Sequence, residues 1–75
     1  MTYQQDGGEM NRYYSVLRPV SIGTFPAGHN VITIDNFEDR VYIPAIDRKA
    51  WGYIDFEDTL TEHECYQYDL VKGNI

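Results

Sequence analysis

Arg12-Tyr13-Tyr14-Ser15-Val16-Leu17-Arg18-Pro19-Val20-Ser21-Ile22-Gly23-Thr24-Phe25-Pro26 carries the change from regular to irregular backbone around which the rest of the chain is arranged. The aromatic and β-branched residues ahead of Pro19 read as a strand over residues 11–18. Alternation sets Tyr14 and Val16 on one face and Tyr13, Ser15 and Leu17 on the other. Pro19 fixes its own φ and biases Arg18 towards extended geometry, while Gly23 and Pro26 punctuate the loop beyond it. A loop so constrained has a fixed shape. It must lie over the sheet or in solvent, because a buried loop strands polar backbone groups. Ile22 or Phe25 is expected to anchor it, with Arg18 accessible beside it.

Downstream, Val31-Ile32-Thr33-Ile34-Asp35 alternates as a second strand with Ile32 and Ile34 facing inward. Residues 36–39 read as a turn, so that Arg40-Val41-Tyr42-Ile43 pairs back as a hairpin. Residues 44–52 admit two readings, one or two helical turns or a wide loop. Pro44 as a helix N1 residue, the Ile46–Ala50 spacing and Gly52 as a C-cap favour the helix. Gly52-Tyr53-Ile54-Asp55-Phe56 reads as a strand with Ile54 and Phe56 inward. Thr61-Glu62-His63-Glu64 matches a capping box, with Leu60 stapled towards Cys65, and starts a short helix over residues 62–68. Asp69-Leu70-Val71 reads as a last short strand. The pattern predicts an α+β fold: a small, twisted, mainly antiparallel sheet of three to five strands with one short C-terminal helix.

Seventy-five residues allow one domain, expected over residues 11–71 between a disordered tail at 1–10 and a short tail at 72–75. Gly7-Gly8-Glu9 immediately precedes Met10, and in a bacterial gene those codons suit a ribosome-binding site, so translation is expected to start at Met10. So small a core needs bulk, which the 15% aromatic content supplies. Trp51 is expected to be largely buried. Cys65 is the one cysteine, so no intrachain disulfide forms and a reducing compartment is expected. No apolar run approaches the ~20 residues of a membrane helix, and residues 1–9 lack the pattern of a secretory signal. A soluble cytoplasmic protein is the expectation.

The formal charge is -6, and no Lys or Arg lies between Lys49 and Lys72. Asp55, Glu57, Asp58, Glu62, Glu64 and Asp69 all fall in that interval. Such a balance repels phosphate backbones and argues against direct nucleic-acid binding. The acidic run reads first as a solvated face. Its sharper reading is a patch that occupies the basic groove of a nucleic-acid-binding enzyme.

Taken together, Arg12-Tyr13-Tyr14-Ser15, Arg18-Pro19-Val20, Gly23-Thr24-Phe25-Pro26, Asn36-Phe37-Glu38-Asp39-Arg40, Ala50-Trp51-Gly52-Tyr53 and Tyr68-Asp69-Leu70-Val71 resemble a small domain of the large polyvalent protein-associated class. The resemblance spans residues 11–71. It implies the biology of mobile genetic elements, in which such domains stand alone or are fused into very large proteins. That class has no established catalytic residues, so no site is carried over.

The chemistry-bearing residues add little. His63 and Cys65, two apart on a helix, point to different faces and have no second pair to complete a metal site. Cys65 with His63 or His29 is a conceivable nucleophile pair, though a small packed thiol explains it better. The pairs Asp55/Glu57 and Glu57/Asp58 suit acid–base work only in a cleft. The glycines form no phosphate loop. No enzyme, metal or cofactor is expected. Tyr13 and Tyr42, read as exposed, near Arg12, Arg18 and Arg40 have the composition of a protein-binding hot spot, and Arg12, Tyr13, Arg18 and Tyr42 are the candidate partner surface. The expected function is a non-enzymatic protein-interaction module, an accessory protein of a mobile element. The alternative is the acidic inhibitor. The partner is an unknown protein, with no membrane contact, and the chain is expected to be a monomer or weak homodimer.

Overall fold

Tyr13 and Tyr14 are neighbours on β1 (Asn11–Ser15), so they point to opposite faces of the sheet, and each is the seed of a hydrophobic cluster. In the computed structural model, which describes residues 10–73, β1 lies in the interior of one antiparallel sheet. Its neighbours are β3 (Arg48–Phe56) and β4 (Leu70–Gly73), and β2 (Val31–Ile43) forms the edge beyond β3, giving the order β2-β3-β1-β4. One short helix, α1 (Glu62–Tyr68), precedes β4. The fold is α+β, as expected. The tail expected over residues 1–10 lies outside the described residues save Met10, which is exposed. β4 takes in Lys72 and Gly73, past the domain boundary expected at Val71.

On the first face Tyr13, Val20, Ile54, Phe56, Leu60 and Leu70 are buried together, and Phe25, Cys65 and Tyr68 pack against them. The inward assignment of Ile54 and Phe56 holds. On the second face Tyr14, Val16 and Ala50 are buried with Ile43, Ile46, Tyr53 and Val71 around them. Two packed faces on so short a chain explain why the aromatic residues are needed. They also correct one expectation: Tyr13 is only 1% exposed. Its ring meets Phe56 edge-on at 5.9 Å and its hydroxyl accepts the Leu60 N–H at 2.9 Å. The helix and the proline loop cover the side on which Tyr13 was expected to be open.

The strand β1 ends at Ser15 rather than Arg18, because the Ser15 hydroxyl donates to the Arg18 carbonyl and the Val16 N–H turns to the Asp69 carbonyl. Phe25 anchors the loop, 6.1 Å from Phe56, whereas Ile22 is fully exposed. Asn36 holds the loop's other side: its Oδ1 accepts the Val20 N–H at 2.8 Å and its Nδ2 donates to the Val20 carbonyl at 2.9 Å.

Residues 36–39 are therefore not a turn. β2 runs on for 13 residues, and its extra residues are absorbed as an irregularity between Asn36 and Val41, opposite Ala50 to Gly52. The hairpin falls later, at Pro44–Asp47, where the Ile46 and Asp47 amides both return to the Ile43 carbonyl and Asp47 adopts a left-handed φ of 54°. The helix expected at 44–52 is replaced by this tight turn and the start of β3. Gly52 is no helix cap. A Cβ there would lie 2.6 Å from the Asp35 carbonyl oxygen and 2.9 Å from the Asn36 Cα, so glycine is required for β2 to cross.

The capping box forms as read. Thr61 Oγ1 accepts the Glu64 N–H at 3.1 Å and Glu64 Oε1 accepts the Thr61 N–H at 2.8 Å. Asp69, left-handed at φ 55°, closes the helix and leads straight into β4. The helix packs along β4. β2, at the opposite edge, lies beyond its reach, and Ile32 and Ile34, expected inward, are 42% and 43% exposed. Among the described residues no helix is long and apolar enough to cross a membrane.

Candidate interaction face

β3 carries Trp51 and Tyr53, and Tyr53 packs against the second cluster. β2 lays Phe37 against Tyr53, with centroids 6.1 Å apart, and sets the Arg40 guanidinium 5.8 Å from the Trp51 ring. From the other side β1 brings Tyr14 edge-on to Tyr53 at 6.0 Å and Arg12 over its ring at 3.8 Å. Phe37, Trp51 and Tyr53 are half-buried and Arg40 is exposed. Trp51, expected to be largely buried, is of intermediate exposure and belongs to neither core cluster. Its partner is a cation on an edge strand. Trp, Tyr and Arg together at partial exposure are the residues that dominate protein interfaces.

Arg12 is fixed within this face. Its Nε and Nη2 bind Asp55 as a fork at 2.8 and 3.0 Å, and the Asp55 side chain is buried. Hydrogen bonding to Asp55 holds the guanidinium still more firmly in its charged form, against the opposing effect of burial. Burial raises the Tyr53 hydroxyl pKa, and the Arg12 charge offsets part of that rise. The face therefore presents a neutral phenol next to a permanent cation.

The other residues read as a partner surface are dispersed. Tyr13 is in the core. Tyr42 is exposed and donates its hydroxyl to Asp47, which raises its pKa. It lies opposite Lys49, six positions along β3 from the Asp55 that faces Arg12, roughly 20 Å away at strand spacing. Arg18 is half-exposed on the far side of the sheet. Its Nη2 is 3.2 Å from Asp69 and its Nη1 donates to the Tyr68 carbonyl at 3.5 Å. No single surface unites Arg12, Arg18 and Tyr42. The β2–β3 pair instead sets Phe37 against Tyr53 and Arg40 against Trp51. Phe37 was hidden because residues 36–39 read as a turn, whereas Arg40 was expected beside the exposed tyrosines.

The acidic residues are largely engaged inside the domain. Asp55 binds Arg12, Asp69 binds Arg18 and caps the helix, and Asp58 and Glu64 share His29. His29 Nδ1 is 2.8 Å from Asp58 and Nε2 is 3.0 Å from Glu64, with the ring edge-on to Phe56 at 5.6 Å. The two carboxylates, Glu64 foremost, raise its pKa, and the same hydrogen bond lowers that of Glu64. A carboxylate on each nitrogen favours the protonated imidazole, and the ring joins the loop to the helix N-terminus. Cys65 sits partly buried against the core, and burial raises its pKa. A shallow cavity of about 190 Å³ beside it is lined by Leu17, Arg48, Tyr66 and Leu70 among others, and by neither histidine.

These features define a small α+β domain with arginine–aromatic contacts on its sheet and with Asp55, Asp58, Glu64 and Asp69 paired internally. Residues 8–74 match the Defence against restriction A C-terminal family, and the chain belongs to that family. This sets it among domains of phages and mobile elements, the setting that the sequence resemblance implied. Neither the curated proteins nor the solved structures give a match.

Proposed function

We propose that the domain is a non-enzymatic interaction module, through which an accessory protein of a phage or mobile element binds a protein partner in defence against restriction. The observation that carries this reading is the half-open face of Trp51, Tyr53, Phe37, Arg12 and Arg40, pre-ordered by the Arg12–Asp55 fork and the Arg40–Trp51 contact. Ordered aromatic and guanidinium groups lose little side-chain freedom on binding, so they yield more affinity per unit of area than flexible ones. The family supports the defence role. The resemblance to polyvalent-protein domains fits a module that serves alone or fused to larger partners. Its place of action is the host cytoplasm.

The test pairs affinity capture from the element's own host with survival of the element's DNA on entry into a restricting host. Trp51→Ala combined with Arg40→Ala should lose the captured partner and lower survival, while the domain keeps its folded NMR spectrum. Capture and survival that both match wild type in a folded double variant would overturn the proposal.

A further inference from the structure

We propose that the outer edge of β2 receives an extended, basic segment of the partner protein as a fifth strand, an inference that rests on the interaction-module reading above. β2 stands at the end of the sheet order, and among the described residues no strand pairs with its outer side. It lies along all nine residues of β3, so it spans roughly 30 Å at strand spacing, and it contains no Lys and no Pro. Edge strands that must stay unpaired are usually short, carry such residues, or bulge, and the irregularities of β2 are confined to Val31–Thr33 and Asn36–Val41. Along this one, Val31, Ile34, Val41 and Tyr42 are exposed, and the free backbone groups are the template on which strand addition builds.

Charge decides the occupant. Asp35, Glu38 and Asp39 stand on β2, and none of them forms an ion pair among the described residues. The one cation on the strand, Arg40, is directed to Trp51. A second copy fits badly. Antiparallel pairing of two β2 strands about a two-fold axis at the central Phe37 sets Asp35 of each opposite Asp39 of the other, and a shift by one residue towards the C-terminus sets Glu38 opposite itself. Each copy also carries a charge of -6. The same carboxylates that repel a copy attract Lys or Arg. The fitting segment therefore has basic residues at its centre and β-branched or aromatic residues at its ends, opposite Ile34 and Val41.

The probe is a synthetic 12-residue peptide with three central Lys flanked by alternating Val and Thr, beside its Glu counterpart. The Lys peptide should shift the backbone amide signals of residues 31–43, slow their exchange, and bind more weakly as salt rises. The neutral variant Asp35→Asn/Glu38→Gln/Asp39→Asn should bind it about tenfold less well, and the reversed variant Asp35→Lys/Glu38→Lys/Asp39→Lys should prefer the Glu peptide. Equal binding of both peptides by the wild type, or shifts centred on α1 or the proline loop, would sink the proposal. Partner capture separates the two readings. A natural partner retained by the reversed variant but lost with Trp51→Ala ends strand addition and leaves the module. Absence of any partner dependent on either surface ends the module itself.

Discussion

Tyr13 and His29 show how much single side chains decide in a core this small. The Tyr13 hydroxyl takes up the Leu60 N–H at the point where the chain enters the helix, so Tyr13→Phe leaves a buried donor without a partner. The expected cost is about 1–3 kcal/mol, read as a lower urea midpoint at unchanged slope. His29 makes stability depend on pH in a defined direction. Its folded pKa stands above the ordinary 6.5, so its contribution is complete below that value and fades as pH rises through the folded pKa. Glu64 stands below its ordinary 4.5, so the same contact is complete above that value and fades as pH falls through the lowered one. Unfolding measured across this range should show a plateau between the two limbs, and His29→Gln should flatten the alkaline limb. A wild-type curve without loss of stability as pH rises beyond 6.5 would show the His29 bridge to be energetically idle.

At the scale of elements, Gly52 governs the crossing of β2 over β3. Gly52→Ala drives a methyl into the backbone at Asp35 and Asn36, which cannot withdraw as a side chain would, and should destabilise the domain by about 1–3 kcal/mol or more. Because Asn36 also grips Val20, the variant should broaden the NMR signals of the proline loop, which is remote in sequence. Loop signals that stay sharp in a destabilised variant would show that the two elements are uncoupled. The same residues mark the limit of what the sequence discloses. The helix over 62–68 was legible because a capping box is a local code whose donors and acceptors lie three residues apart. So were Ile54 and Phe56, through alternation. Asn36-Phe37-Glu38-Asp39 has turn chemistry, but Asn36 spends its side chain on Val20, sixteen residues away, and the backbone stays extended. Local propensity has no knowledge of that partner. With the false turn went the full length of the edge strand, and with it the place of Phe37 against Tyr53. Tyr13 was misplaced for a related reason: alternation separates two faces but does not say that both are covered.

For the molecule as a whole, the sheet order predicts a gradient of protection. Amides of β1 and the β1-facing side of β3 should exchange slowest, at rates set by global unfolding, and the outer amides of β2 fastest among the strands. Uniform exchange across the four strands would contradict the open edge. The central position of β1 has a consequence in time. Its two neighbours, β3 and β4, come much later in the chain, so on a ribosome β1 emerges long before either exists. The β2–β3 hairpin can close by itself as soon as both arms have emerged. The earliest strand must wait, bare on both sides, until Arg48 to Phe56 have emerged, and on one side until Leu70 to Gly73 follow, and only then does the sheet shut around it. Synthesis and completion of the fold are thus separated by nearly the whole length of the domain, and a chain arrested a few residues short would hold Tyr13 and Tyr14 ready for any strand that arrived first.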